Sequence, residues 1–178
     1  MNMLPRPTSI ALALFLATLA SGFTAVQAQQ LPSTQAKTIT GRAITLPLPD
    51  HAQTFLAVGF SKASSDAVKA WWLQAKAICQ AHPAVACYEA AVIEDAPSFV
   101  RGMIVSGMKR GTEPDRQETF LTIVENEAAW KQAFAYSAPD DAYLAIFDKS
   151  GKLLWRTNGA EAAANSAVIA KGFDAASK

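Results

Sequence analysis

The two cysteines carry the most obvious chemistry of this 178-residue chain. Cys79 and Cys87 are separated by seven residues, which is not the CxxC spacing of a dithiol redox motif. A disulfide is the favoured interpretation, because closing so short a loop stabilises a fold by about 2.5 kcal/mol. Two buried free thiols and a redox-active pair are the alternatives. His82 lies between the cysteines, but three ligands in one short loop lack an obvious fourth donor for zinc. We therefore expect no metal and no other cofactor.

A polar segment, Ser61-Lys-Ala-Ser-Ser-Asp66, offers hydroxyl groups. A serine nucleophile needs a general base within hydrogen-bonding reach. His51 precedes the apolar run before this segment, and His82 lies at the far end of the helical pattern after it. Helix capping is the simpler interpretation, with Ser64 as the N-cap residue. We expect no catalytic residue here.

Apolar periodicity indicates the elements that position these residues. Continuous apolar runs predict buried strands, and apolar residues at three- and four-residue spacing predict amphipathic helices. The turn Asp148-Lys-Ser-Gly151 is typical of a hairpin. The predicted order is an edge strand over 39–45, a central strand over 54–60, a helix over 64–82, a strand over 86–93, a helix over 97–110, a strand over 119–124, a short helix from Asn126, hairpin strands over 143–147 and 152–155, and an alanine-rich helix.

The first 28 residues are typical of a cleaved secretory leader. A single cation, Arg6, precedes the apolar run 10–20, and small residues lead to a predicted cleavage after Ala28. An uncleaved anchor is the alternative, and only in that case do we expect contact with a membrane. Export implies a periplasmic or secreted location, where an oxidising environment suits a disulfide.

Charge and length limit the possible partners. Without the leader the chain has 15 basic and 15 acidic residues, so its net charge is zero. A nucleic-acid-binding chain would show a basic excess, so no nucleic-acid partner is expected. The remaining 150 residues suit a flexible stretch over 29–37 and a single domain over 38–178.

This order of elements predicts a thioredoxin-like α/β fold, a three-layer sandwich with a mixed sheet and a late antiparallel hairpin. Active members hold a nucleophilic cysteine where the helix after the first central strand begins, because the positive helix end favours thiolate. Here that place is 61–66, which contains no cysteine. The cis-proline that usually precedes the hairpin is replaced by Asp141-Ala142, with Pro139 slightly earlier. Both halves of the redox site are therefore altered.

Two segments resemble a known family. They are residues 55–72, FLAVGFSKASSDAVKAWW, and residues 143–156, YLAIFDKSGKLLWR. Both are similar to the mitochondrial ATP synthase assembly factor family, thioredoxin-like chaperones of the proton-channel subunit. The resemblance extends over roughly 54–159 and implies a thioredoxin-like fold and an assembly role. The secretory leader favours an exported relative over an organelle protein.

These observations predict an exported, non-redox thioredoxin-like protein that binds an envelope protein or assists its assembly. A thiol or peroxide oxidoreductase using Cys79 and Cys87 is one alternative. A small-ligand binding module with Trp71 or Trp72 as its platform is another, because adjacent tryptophans on a helix cannot both point straight inward. The predicted contact residues are Ser61, Lys62, Ser64, Ser65, Trp72 and Asp141.

Overall fold

The computed structural model describes residues 29–177, which form a seven-stranded sheet covered by helices. The predicted leader, residues 1–28, lies outside the described residues. No helix in the described part is long and apolar enough to cross a membrane. The strands are β1 Thr34–Thr38, β2 Ala43–Leu46, β3 Gln53–Gly59, β4 Val85–Val92, β5 Phe120–Ile123, β6 Ala142–Asp148 and β7 Leu153–Gly159; the helices are α1 Ser65–Ala81, α2 Ser98–Gly111, α3 Glu127–Phe134 and α4 Ser166–Ala176, with short 3-10 turns at Pro114–Arg116 and Glu161–Ala163.

The strands lie in the order β2-β1-β5-β4-β3-β6-β7. The three strands β3, β4 and β5 are parallel, whereas β6 and β7 form an antiparallel pair beside β3. β1 and β2 extend the other edge in antiparallel pairing. β3 lies inside the sheet because nearly all of its residues are apolar and buried on both faces. The predicted mixed α/β sheet with a late hairpin is confirmed.

Two apolar layers hold the helices on the sheet. One face packs against α1 and α4, with Phe55, Trp71 and Phe173 among its buried side chains. The other face packs against α3, where the rings of Trp130 and Phe134 stack with centroids 5.7 Å apart. The result is the predicted three-layer sandwich.

The two ends of helix α1 lie at opposite ends of the central strands. Because β3 and β4 are parallel, the helix that joins them runs back along the sheet. Ser65 therefore lies at the carboxyl end of the central strands, and Ala81 lies at their amino end. Pro83 follows the helix because proline cannot continue its hydrogen-bond ladder.

Residues 29–37 are part of the domain, so the expected flexible stretch is wrong. Gln30 bridges to Lys152, Leu31 is buried, and β1 begins at Thr34. Burial alternates strictly along β1, with threonine and alanine on the inward side. The polar composition concealed the strand because its inward residues are small rather than strongly apolar.

The predicted edge strand over 39–45 is interrupted by a turn. Gly41 has φ +103°, a left-handed conformation that glycine adopts without steric cost. The chain reverses there, and Thr38 N donates to the carbonyl of Arg42 (2.8 Å). The segment therefore joins two short antiparallel strands, β1 and β2.

Candidate functional site

The turn between β3 and α1 is closed by its own serine hydroxyls. Ser64 Oγ donates to the carbonyl of Ser61, and Ser65 Oγ donates to the carbonyl of Lys62, both at 2.8 Å. Ser61 Oγ donates to the carbonyl of Pro139, in the loop before β6. All three hydroxyls are used on carbonyl groups, so they fix the turn and join it to that loop.

Ser64 occupies the N-cap position of α1 as predicted, but its side chain does not cap the helix. Its backbone is already helical, with φ −78° and ψ −4°, whereas a capping residue is extended. A Cβ on Gly59 would stand 2.5 Å from Ser64 Oγ. A larger residue at position 59 would therefore force the serine turn to shift, and this close approach seats the start of α1 on the sheet.

Neither histidine lies near these hydroxyls. The 17-residue helix places His82 about 25 Å along its axis from Ser65. His82 Nδ1 lies 2.8 Å from the carbonyl of Ile78, and His51 precedes the amino end of β3. The serine turn therefore has no imidazole base within reach.

An apolar groove opens beside this turn. It is enclosed by α1 on one side, α2 on the other and the carboxyl half of β4 as its floor, with a volume of about 700 Å³. Small-molecule pockets fall in the same range of volume. We call it the α1–α2 groove, and its main apolar side chains are Phe60, Val68, Ile93, Ile104 and Met108.

Helix α2 covers the groove while burying none of its own residues. It has no side-chain hydrogen bond at its N-cap, Pro97, and it contains Gly102, Gly107 and Gly111. Each interior glycine lowers helix stability by about 0.5–1 kcal/mol relative to alanine. Few buried contacts and weak intrinsic propensity make α2 the easiest helix of the fold to displace.

A buried ion pair forms part of the groove wall. Arg116 donates from Nε and Nη2 to the two oxygens of Glu89 (3.0 and 2.6 Å) and from Nη1 to Glu113 (2.7 Å). Burial raises the pKa of the Glu89 carboxyl, and the hydrogen bond and charge of Arg116 oppose that shift. Burial works against the charged form of Arg116, but its hydrogen bonds to Glu89 and Glu113 raise its pKa. The wall thus contains two opposite charges that largely compensate each other.

Cys79 and Cys87 form a disulfide, as predicted. The bridge joins the last turns of α1 to β4, with Cα atoms 6.2 Å apart and both residues half-buried. It lies about 21 Å along the helix axis from the start of α1. Because both sulfurs are in the bridge, the alternative of two buried free thiols is wrong. Among residues 29–177, no three His, Cys, Asp or Glu side chains are grouped closely enough to hold a metal ion.

Comparison with solved structures identifies the architecture. The chain is similar to the exposed lipoprotein thioredoxin Etrx1 of Streptococcus pneumoniae, with TM-score 0.57 and 11% identity over 80% of this chain and 98% of that chain. It is also similar to BsSco, a member of the Sco family of cytochrome c oxidase assembly proteins, with TM-score 0.56 and 11% identity over 85% of this chain and 95% of that chain. A third similar structure is the thioredoxin domain of a thiol-disulfide oxidoreductase from Bacteroides vulgatus, with TM-score 0.53 and 9% identity over 81% of this chain and 95% of that chain. The chain has a thioredoxin-like fold.

Similarity at these identities concerns the fold alone. No protein-family model matches the chain, and a search of curated proteins finds no match. The predicted thioredoxin-like architecture is confirmed. The closer resemblance to the ATP synthase assembly factor family stays a prediction.

Four of the six predicted contact residues line the groove of this thioredoxin-like domain, and Asp141 and Trp72 do not. The Asp141 carboxylate accepts a hydrogen bond from the Asn158 side chain on β7 (2.7 Å). Lys62 and Ser65 are exposed at the rim of the groove, whereas Ser64 is fully buried. The lining four are Ser61, Lys62, Ser64 and Ser65.

The two tryptophans correct another expectation. Trp71 and Trp72 are both buried, with 2% and 5% of their surface exposed. Helix α4 and the 3-10 turn at Glu161–Ala163 also contact α1, so more of its surface is buried than the sheet alone would cover. Trp71 Nε1 donates to the carbonyl of Gly159 in β7 (3.1 Å). The prediction that one tryptophan faces outward is therefore wrong, and Trp72 is a core residue.

Sequence reasoning missed the other side of the groove. Glu89 could have been found from the sequence, because a single acidic residue in the apolar run 86–93 indicates a buried partner of opposite charge. Arg116 gave no such signal, since it lies in a polar stretch between α2 and β5. Ile104 and Met108 lie within the predicted helix over 97–110, but the apolar pattern does not show that this helix stands clear of the core.

Proposed function

We propose that the chain is a thioredoxin-like binding protein of the cell envelope, which holds an apolar segment of another protein in the α1–α2 groove. It carries out no disulfide exchange at the start of α1. One observation carries this proposal: the place of the thiols in active members is a serine turn, closed by hydrogen bonds, that opens on an apolar groove. Serine hydroxyls can form hydrogen bonds that hold the turn in shape, but they cannot transfer electrons as a pair of thiols does.

The groove favours an uncharged occupant. Its apolar side chains come from α1, α2 and the sheet, and its charged side chains balance. A ligand with a net charge would leave water without gaining a matching partner, which is unfavourable. The charged lining residues are Lys62, Lys69 and Arg116 against Asp66, Glu89 and Asp95.

The loose attachment of α2 favours a polypeptide over a rigid small molecule. Met108 faces the groove, and methionine side chains adapt to partners of different shape. A helix that buries no residue of its own can move outward to admit a chain of varying width. The assembly role implied for the related families, including the oxidase assembly of the Sco proteins such as BsSco, agrees with such a client.

Thiol chemistry at the Cys79–Cys87 bridge is the second candidate function. A formed disulfide with half-buried sulfurs favours it, and a disulfide switch is described for BsSco. Cys79, however, lies in the last turns of α1, where the helix dipole disfavours a thiolate. The last turn of α1 carries no basic residue to offset the effect, and Lys76, one turn before Cys79, is paired with Asp115.

Site-specific photo-crosslinking in the expressing cell tests the proposed function. A photoreactive residue at the exposed Lys62, on the groove rim, should capture an envelope protein through an uncharged apolar segment. The same residue at Lys171, exposed on α4, is the matched control and should not capture it. Ile104→Asn adds polarity inside the groove and should abolish the adduct at position 62.

Other results would contradict the proposal. Adducts of equal yield from positions 62 and 171, or adducts unaffected by Ile104→Asn, would remove the groove from the interaction. Insulin reduction by the wild-type chain above the uncatalysed rate, lost in Cys79→Ser, would establish the second candidate function instead.

A further inference from the structure

The outward face of α2 carries the two most exposed large apolar side chains of the described residues. Phe99 is 85% exposed and Met103 is 73% exposed. A spacing of four residues places them on one face of the helix. The helical periodicity sets Arg110 on the same face, while Ile104 and Met108 turn toward the groove.

The same helix is basic. α2 contains Arg101, Lys109 and Arg110 and no acidic residue. Arg101 is occupied, because its guanidinium donates to the carbonyls of Glu94 and Ala96 (2.6 and 2.8 Å). Lys109 and Arg110 form no ion pair among residues 29–177, so Arg110 on the apolar face and Lys109 at its flank are available to a partner.

The nearby acids are mostly engaged by other groups. Glu118 pairs with Arg42 (3.1 Å), and the pKa of its carboxyl is lowered by the side chain of Thr40, by Arg42 and also by the charge of Lys109. Glu113 lies within salt-bridge distance of Arg116 (2.7 Å) and Lys69 (3.6 Å). Asp115 is bound to Lys76 at 2.6 Å. Asp95 lines the groove, on the other side of α2. The carboxyl-terminal turn of α2 thus carries two adjacent cations, Lys109 and Arg110, on a helix that has no acidic residue.

We propose that the outward face of α2 docks on the surface of an anionic lipid bilayer. Phe99 and Met103 insert among the acyl chains, and Lys109 and Arg110 contact the anionic headgroups. This route does not depend on whether the predicted leader is cleaved. It is also independent of the proposed function, which uses the inward face of the same helix.

The form of the face favours a bilayer over a protein. A stable protein interface buries about 800 Å² per partner around a closely packed centre. Here the apolar pair stands beside Gly102 and Gly107, where an added Cβ would meet nothing within 4 Å. Isolated side chains on a bare backbone offer little for a protein surface to fit, but they are sufficient to enter a fluid lipid layer.

Vesicle flotation tests this proposal. The chain from Gln29 onward is used, because these residues carry the whole sheet and both apolar layers. It should float with vesicles containing about 30% phosphatidylglycerol and stay unbound with phosphatidylcholine alone. Binding should be weak, near the association constant of about 10⁴ M⁻¹ of a single acyl chain, and should disappear near 1 M salt, where the screening length is about 3 Å.

Two variants and two controls locate the contact. Phe99→Ser with Met103→Ser should lower partitioning by about tenfold or more, and Lys109→Gln with Arg110→Gln by about tenfold. Leu73→Ser, at a 53% exposed leucine on α1, and Lys171→Gln on α4 should bind as the wild type does.

Specific outcomes would overturn the proposal. They are no flotation with anionic vesicles, equal flotation with neutral ones, or normal binding by the α2 variants. A photoreactive residue at Met103 that captures a protein without lipid would assign this face to a protein partner. Ile104→Asn should leave flotation unchanged, so failure of the groove and failure of the lipid contact give different results.

Discussion

Glu89 is a carboxylate inside an apolar wall, and Arg116 is the group that keeps it ionised there. Glu89 is completely buried and Arg116 is 5% exposed, and two charge-assisted hydrogen bonds join them. A buried pair of this kind adds little net stability compared with apolar residues, but removing one partner leaves an uncompensated charge. At the scale of single residues, the groove wall depends on both partners being present.

Arg116→Met should therefore destabilise the fold by about 3–5 kcal/mol near pH 7. Burial already raises the pKa of Glu89, and without Arg116 this pKa rises further in the folded state only. The folded variant then binds a proton more readily than the unfolded chain, so its deficit should shrink as the pH falls toward about 4.3. Urea unfolding at several pH values measures this dependence.

Two controls accompany that measurement. Lys76→Met breaks an exposed pair with Asp115 and should cost less than about 1 kcal/mol. Glu89→Met combined with Arg116→Met should recover most of the loss, because no unpaired charge is left. A deficit independent of pH in Arg116→Met would show that lost packing, rather than the charge on Glu89, causes it.

Gly59→Ala tests the close approach of β3 to the serine turn. The new Cβ would lie 2.5 Å from Ser64 Oγ and 3.0 Å from Val68 Cγ2, so the start of α1 must shift. We expect a loss of about 1–3 kcal/mol, as for other overpacked sites, in urea unfolding. Combination with Ser64→Ala removes the nearest atom and should recover part of it. Equal stability of Gly59→Ala and wild type would show that the turn is not tightly seated.

At the scale of elements, the sequence predicts those strands and helices whose own apolar pattern is enough to identify them. The runs that became β3, β4 and β6 are apolar enough to be strands in any context. β1 was missed because its inward residues are threonine and alanine, and its pairing with β5 is a long-range contact. The polar end of β7, Thr157 to Gly159, is a strand only because β6 lies beside it.

α2 shows the opposite limit. Its apolar stripe predicted a packed helix, yet Phe99 and Met103 face outward. Helical periodicity reports which residues share a face, but it does not report how close the sheet lies. The groove could not be predicted for the same reason, since it exists only where α2 stands away from β4.

The glycines of α2 provide a test of its looseness. A Cβ at Gly102 or Gly107 would meet nothing within 4 Å, so alanine adds helix propensity without a new contact. Each substitution should slow hydrogen exchange of the α2 amides about two- to fivefold, corresponding to about 0.5–1 kcal/mol. Amides of β3 serve as the internal control and should not change. Unchanged exchange in α2 would mean that the helix opens only with the whole domain.

At the scale of the whole molecule, the proposed binding groove and the disulfide lie at opposite ends of the central strands. The serine turn and the groove are at the carboxyl end of the central strands, and the disulfide joins α1 to β4 near the amino end. A fold that usually places its thiols beside the partner site has separated the two here. The bridge can therefore stabilise the domain at a distance from the groove.

Replacing both cysteines, as Cys79→Ser with Cys87→Ser, tests this separation. The chain-entropy model predicts a loss of about 2.5 kcal/mol for so short a loop, seen as a lower unfolding free energy in urea. Reductant should destabilise the wild type by the same amount and leave the variant unaffected. Crosslinking from Lys62 should be retained under conditions where the variant is folded, because the groove is remote from the bridge. Lost crosslinking in a folded variant would instead couple the disulfide to the binding site and favour a redox role.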